Sequence, residues 1–203
     1  MTRSLIATAG LLLGFLAVIS CAGRQEASKK DILDICGSCH GSTGVTYTFY
    51  IPNLAGQNYE YLVNQLRHFR GIDGKGDTRA NATMDWHALH NDEKDIDRLA
   101  RYYAEQACAK GIYTWGGGDL ENACTSCHGS HGHSSDPNIP NLAGQKVPYM
   151  RKQMAIFQNS AKGSPNENPH IYRTSEAMGQ IAGSMQVDEA MSALYFFNAQ
   201  GCR

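Results

Sequence analysis

The sequence predicts an all-α protein made of two tandem copies of one small helical unit, and three observations predict it. The heptapeptide Ile51-Pro-Asn-Leu-Ala-Gly-Gln57 recurs unchanged as Ile139-Pro-Asn-Leu-Ala-Gly-Gln145, an offset of 88 residues. Apolar residues return at three- and four-residue spacing in several segments, which is the period of an amphipathic helix. No run of alternating β-branched residues competes with them, so little sheet is expected.

The elements follow in chain order. Residues 1–20 read as an export signal, with Arg3 ahead of an uncharged stretch from Ser4 to Ile19. About 16 positions broken by Gly10 and Gly14 make a short span for roughly 30 Å of hydrocarbon, so a membrane-crossing anchor is the lesser reading. The end of this stretch, Val18-Ile19-Ser20-Cys21, resembles the lipobox of bacterial lipoproteins. That resemblance implies cleavage before Cys21, acylation of its thiol and new amino terminus, and a tether over 21–28. Two or more buried acyl chains give stable membrane attachment. Ordinary cleavage after Ser20-Cys21-Ala22 is the alternative, and it would leave a soluble periplasmic chain.

The first unit spans 29–110, with helices expected over 29–40, 57–70 and 91–106. The last of these starts on an Asn91 cap with Asp92 and Glu93 in its first turn, as the helix dipole favours. Residues 111–118 hold Gly116-Gly117-Gly118 and read as a flexible joint. The second unit spans 119–203, with helices near 119–128, 148–160 and 187–199. After the heptapeptide the offset becomes 94: Arg79 aligns with Arg173, Met84 with Met178 and Cys108 with Cys202. The second copy therefore carries a six-residue insertion, placed in the Pro/Asn/Gly-rich loop over 163–170. Two copies make a duplicated domain rather than a solenoid.

Composition narrows the function. The formal net charge is −1 over 203 residues, shared nearly evenly by the two halves. That excludes a polyanion binder and hence a nucleic-acid partner, and it gives no whole-domain field for electrostatic steering. Hydrophobic residues are 42% of the chain, beside 21 glycines, which is sparse for two cores of about 90 residues each. Something other than side chains is needed to fill them.

Cys36-Gly-Ser-Cys39-His40 returns as Cys124-Thr-Ser-Cys127-His128. Two cysteines three apart project from one helix face, and a histidine directly after the second lies one turn beyond the first. Covalent haem requires that arrangement: two thiols for thioethers to the porphyrin vinyls and an imidazole for iron. A tetrahedral zinc site and a redox dithiol are the competing readings of Cys-x-x-Cys. Two matches at repeat-equivalent positions favour haem, which also supplies the missing apolar bulk. A sixth ligand is expected from methionine. The first copy offers only Met84. The second offers Met150, Met154, Met178, Met185 and Met191; repeat alignment selects Met178, with Met185 next and His170, in the inserted loop, as a weaker rival.

On these motifs, together with Tyr-Leu-x-x-Gln-Leu after the first heptapeptide and Arg-x-Asn-x-x-Met before a final helix, the chain resembles the dihaem cytochromes c of the cytochrome c4 group. Each half is similar to the small class I cytochromes c, and the resemblance runs from about Ser28 to Cys202. It implies two covalently bound haem c groups on Cys36, Cys39, Cys124 and Cys127, with iron held by His40 and Met84 and by His128 and Met178. It also implies that the Pro52 and Pro140 carbonyls orient the proximal imidazoles. The second copy departs from the pattern in its last helix, which reads Glu189-Ala-Met191 in place of Asp-Ile.

An iron closed by imidazole and thioether passes one electron with little reorganisation, and soft sulfur favours the ferrous state. The expected function is therefore periplasmic electron transfer, from a membrane donor toward an acceptor such as a terminal oxidase, without catalysis. The alternatives are a dihaem enzyme, such as a peroxidase, and the electron-accepting subunit of a periplasmic dehydrogenase. Arg79 and Arg173 read either as partners of haem propionates, whose carboxylates suit the guanidinium fork, or as ordinary surface arginines. His68, His87 and His90 read as surface residues, as do His131 and His133 in their Gly/Ser loop. Cys108 and Cys202, at equivalent positions, are either an interdomain disulfide, which an oxidising compartment permits, or two separate thiols.

Overall fold

The computed structural model describes residues 31–71, 79–113, 121–163, 171–185 and 187–201. The export segment, Cys21, Gly116-Gly117-Gly118, His170 and Cys202 lie outside the described residues. The chain is mostly helical, as the sequence predicts. In the first copy α1 (Ile32–His40), α2 (Tyr59–Phe69), α3 (Ala82–Leu89) and α4 (Glu93–Ala104) follow one another, with a short strand β1 (Arg79–Asn81) before α3. The second copy repeats them as α5 (Glu121–His128), α6 (Val147–Ala161), β2 (Ile171–Arg173), α7 (Glu176–Ser184) and α8 (Val187–Ala199). Six of these helices correspond to expected ones; α3, α7 and the two strands do not.

Local chemistry sets the boundaries. Asp31 caps α1 by accepting from the Leu33 N–H at 2.9 Å, a donor left unpaired at any helix start. The cap of α4 is Asp92, whose carboxylate accepts from the Asp95 N–H at 2.8 Å. Asn91, the expected cap, is buried just before it. After each Cys-x-x-Cys-His helix the chain turns through Gly41 (φ 83°) and Gly129 (φ 81°). A β-carbon there would stand 2.1 Å from the Val45 or His133 carbonyl oxygen, so only glycine fits.

Each copy has its own apolar core. In the first, Leu62 and Val63 of α2 meet Ile96, Leu99, Ala100 and Tyr103 of α4. The second packs Val147, Met150, Met154 and Phe157 of α6 against Ala182 of α7 and Ala193, Leu194 and Phe197 of α8. Met150 and Met154 are thus packing residues, as their alignment with Leu62 and Leu66 predicts.

The copies meet face to face through the repeated heptapeptide. Asn53 accepts from and donates to Gln145: its N–H reaches Oε1 at 3.0 Å, and Gln145 Nε2 reaches the Asn53 carbonyl at 2.9 Å. Gln57 and Asn141, the equivalent pair with roles exchanged, make the same two bonds at 2.7 and 2.9 Å. A contact in which residue i of one copy meets residue j of the other, and j meets i, is isologous and implies a pseudo-twofold axis. The strands obey it too. β1 pairs antiparallel with β2, and Arg79 lies opposite its own repeat equivalent, Arg173.

Residues 111–113 run against α8 rather than free of it. The Asn198 side chain accepts from the Ile112 and Tyr113 N–H groups at 3.2 and 3.3 Å, and the Tyr113 ring meets Tyr195 edge-on at 4.9 Å. A β-carbon on Gly111 would lie 1.6 Å from the Asn198 carbonyl oxygen, so the close approach requires glycine.

Candidate functional site

The two Cys-x-x-Cys-His helices, α1 and α5, present the same groups in the same way. None of Cys36, Cys39, Cys124 and Cys127 is in a disulfide; the first of each pair is half-buried and the second exposed. Burial is the main cause that pushes the Cys36 thiol up to about 11, with Cys39 and Asp95 adding to it. It is a neutral, apolar-facing group.

His40 and His128 close their helices and are buried. The Nδ1 of His40 lies 3.0 Å from the Pro52 carbonyl oxygen, and that of His128 lies 2.9 Å from the Pro140 oxygen. A carbonyl only accepts, so Nδ1 carries the hydrogen and Nε2 keeps its lone pair for a metal. Burial lowers the pKa of both imidazoles, partly opposed by that carbonyl bond. Arg79 and His87 lower His40 further, and Arg173 lowers His128. His87 is therefore near His40 and half-buried rather than a bystander, whereas His90 is exposed, with its ring tilted 50° against Trp86.

Met84 and Met178 each stand third in a short helix, α3 and α7; α3 follows β1 directly, and α7 follows β2 after two residues. Both methionines are half-buried. α3 packs on α2 and α7 on α6. Met185 ends α7, where its carbonyl accepts from Gln158 Nε2.

Between the copies lies a reciprocal cluster whose members the repeats preserve but whose contacts the sequence does not disclose. Arg79 donates to Gln65 Oε1 at 2.6 Å and to the Tyr149 hydroxyl at 3.0 Å. Arg173 donates to Gln153 Oε1 at 2.8 Å and to the Tyr61 hydroxyl at 2.7 Å. Each guanidinium also covers an aromatic ring, Phe69 at 4.5 Å and Phe157 at 4.7 Å. Burial would raise the Tyr149 phenol, but the two guanidiniums outweigh it and hold it below its ordinary value. Among the described residues neither arginine has a carboxylate partner. Two half-buried like charges set opposite each other are stabilised by an anion placed between them. The Tyr103 hydroxyl is likewise buried without a partner among the described residues.

A family model, that of cytochrome c, matches residues 119–196. The cytochrome c4 of Stutzerimonas stutzeri is 30% identical over 166 residues, covering 73% of this chain and 79% of that one. The chain belongs to the cytochrome c4 family. The thiosulfate dehydrogenase electron acceptor of Thiomonas intermedia is also 30% identical, over 79% of this chain and 77% of that one. The solved cytochrome c4 of Acidithiobacillus ferrooxidans superposes with a TM-score of 0.62 at 26% identity, covering 82% of this chain and 98% of that structure.

As a cytochrome c4, the chain binds two haem c groups covalently, and the residues present fit them. Cysteine pairs outside any disulfide lie on one helix face, each with a buried histidine whose Nδ1 is bound to a proline carbonyl, and among the described residues the two arginines have no carboxylate partner, a role haem carboxylates would fill. His131 and His133 form no metal-binding group with other described residues; His133 Nε2 donates to the Gly201 carbonyl at 3.2 Å. Cys108 is disulfide-bonded, while Cys202 lies outside the described residues.

Proposed function

We propose that this cytochrome carries single electrons between respiratory partners in the periplasm, through domains spanning 29–110 and 119–203. In each domain the histidine and one methionine close the iron: His40 with Met84 and His128 with Met178. Bound haem supplies the one-electron ferric/ferrous couple. The chain's part is to hold each imidazole by its proline carbonyl, to offer a methionine as the second axial donor, and to set Arg79 and Arg173 opposite each other, where they would pair with haem carboxylates. The observation that most supports this reading is the meeting of the sites at one interface, where Arg79 and Arg173, each near its own copy's histidine, face each other across β1 and β2.

Methionine-ligated ferric haem has a weak far-red band. Met84→Ala and Met178→Ala should each remove about half of it, and the reduced wild-type protein should resist carbon monoxide. Prompt carbon monoxide binding would instead mark an open iron, as in a dihaem enzyme. Pulse reduction should show exchange between the haems that is independent of protein concentration.

The membrane donor and an oxidase acceptor are the partners this reading implies, with Cys21 as the point of lipid attachment; mass spectrometry of the purified mature chain tests the latter. The likeness to the Thiomonas intermedia protein favours a second reading of the donor, a periplasmic dehydrogenase that delivers electrons to this carrier. Stopped-flow reduction by a thiosulfate dehydrogenase, against reduction by a quinol-oxidising membrane fraction, separates the two.

A further inference from the structure

The two methionine helices begin differently. Asn81 caps α3, and its Oδ1 accepts from the Met84 N–H itself at 3.2 Å. The Asp85 carboxylate reaches back to the Asn81 N–H, at 3.1 and 3.2 Å from its two oxygens. This reciprocal pair satisfies two helix-start donors at once and closes a ring of contacts around Met84. In α7 the equivalent of Asn81 is Ser175, which makes no side-chain cap bond. The equivalent of Asp85 is Gly179. A second glycine, Gly183, follows in the same helix, and glycine is a weak helix former.

Resting on the ligand assignment above, we propose that Asn81, braced by Asp85, is a positioning residue that locks Met84 onto the first iron, whereas Met178 lacks such a lock and is the exchangeable ligand. Opening of the first turn of α3 or α7 would carry its methionine with it, and such an opening is local rather than global unfolding. The cap bond ends on the ligand's own backbone, so it opposes that opening directly. The body of α7 is held differently: it packs on α6, with Gly179 and Gly183 facing the Ala161 methyl at ordinary contact distance, and Ala182 is fully buried. That packing holds the middle of the helix and leaves the Met178 turn uncapped.

The test uses the oxidised, haem-loaded protein and imidazole as the entering ligand, followed through loss of the far-red band. In wild type the band should disappear in two steps, the first belonging to the second haem. In a Met178→Ala background, where the remaining band reports the first haem alone, Asn81→Ala should strengthen imidazole binding about fivefold to tenfold, the usual weight of a cap side chain. Asn81→Asp, which preserves an accepting oxygen, should stay within about twofold of its parent. In a Met84→Ala background Ser175→Ala should change little, because it has no cap bond to lose. Unchanged imidazole affinity in Asn81→Ala, or an equal response in Ser175→Ala, overturns the proposal. If Met84→Ala leaves the band whole, the ligand assignment itself fails, an outcome distinct from either of those.

Discussion

Tyr103 and Phe197 occupy equivalent places in α4 and α8, each buried in the core of its copy, and they differ by one oxygen. The phenylalanine ring lies 6.1 Å from His128. The tyrosine hydroxyl is buried without a partner among the described residues, and burial pushes it well above its ordinary range. An unpaired buried hydroxyl costs about 1–3 kcal/mol. Tyr103→Phe should therefore raise the stability of the first copy by about 1 kcal/mol in thermal unfolding of the holoprotein; a loss of similar size would mean that the hydroxyl has found its partner on the haem. The two Cys-x-x-Cys-His motifs were legible from sequence because covalent haem attachment dictates their spacing. The Tyr61 and Tyr149 hydroxyls were not, since the repeat shows only that they recur and not that each reaches the other copy's arginine.

At the scale of elements, α2 and α4 are joined at their surface by Glu93, which accepts from Arg67 at 2.9 Å and from Arg70 at 2.6 Å. The side-chain bond from Arg67 is the main cause that holds the Glu93 carboxyl below its ordinary 4.5. A carboxyl depressed in the folded state adds stability above its unfolded value, and that stability is lost as pH falls through the folded value. Glu93→Gln should thus melt earlier than wild type at neutral pH, and the difference should vanish in acid below the depressed value; calorimetry across that range measures it. The pair is exposed, so the effect will be small. The long helices were readable from their apolar period. The short α3 and α7 were not, because eight or nine residues carrying polar or glycine-interrupted faces give no periodic signal. The strands that precede them are three residues each and pair only across the copies, so nothing local announces them.

For the whole molecule, the interface is polar and buried rather than oily. Asn53, Gln57 and Gln145 are all buried, and Lys146 adds its ammonium to the Thr46 and Thr48 carbonyls of the other copy. Removing one member leaves its partners' polar atoms dry and unpaired, which costs about 1–3 kcal/mol for each group. Gln145→Ala should weaken the junction by about 2–4 kcal/mol. The expected outcome in calorimetry of the holoprotein is that one cooperative transition divides into two, one for each copy. A single transition merely shifted downward would mean that the β1–β2 pairing and the arginine–tyrosine cluster hold the copies together without the heptapeptides. Sequence reading found the duplication and the six-residue change of offset but put the whole insertion in the loop over 163–170, whereas part of it lengthens α6, which has 15 residues where α2 has 11. It did not find why one stretch stayed identical while its surroundings diverged.

The heptapeptide supplies the reason. Because Asn53 meets Gln145 and Asn141 meets Gln57, one string of seven residues is both the key and the lock, and each copy carries both. Each glutamine makes two bonds to the backbone of one asparagine in the other string, so changing Gln57 or Gln145 spoils two bonds at once, and neither copy is free to drift alone. The same logic makes the tether between the copies dispensable for recognition. It raises the local concentration of two strings that already fit each other.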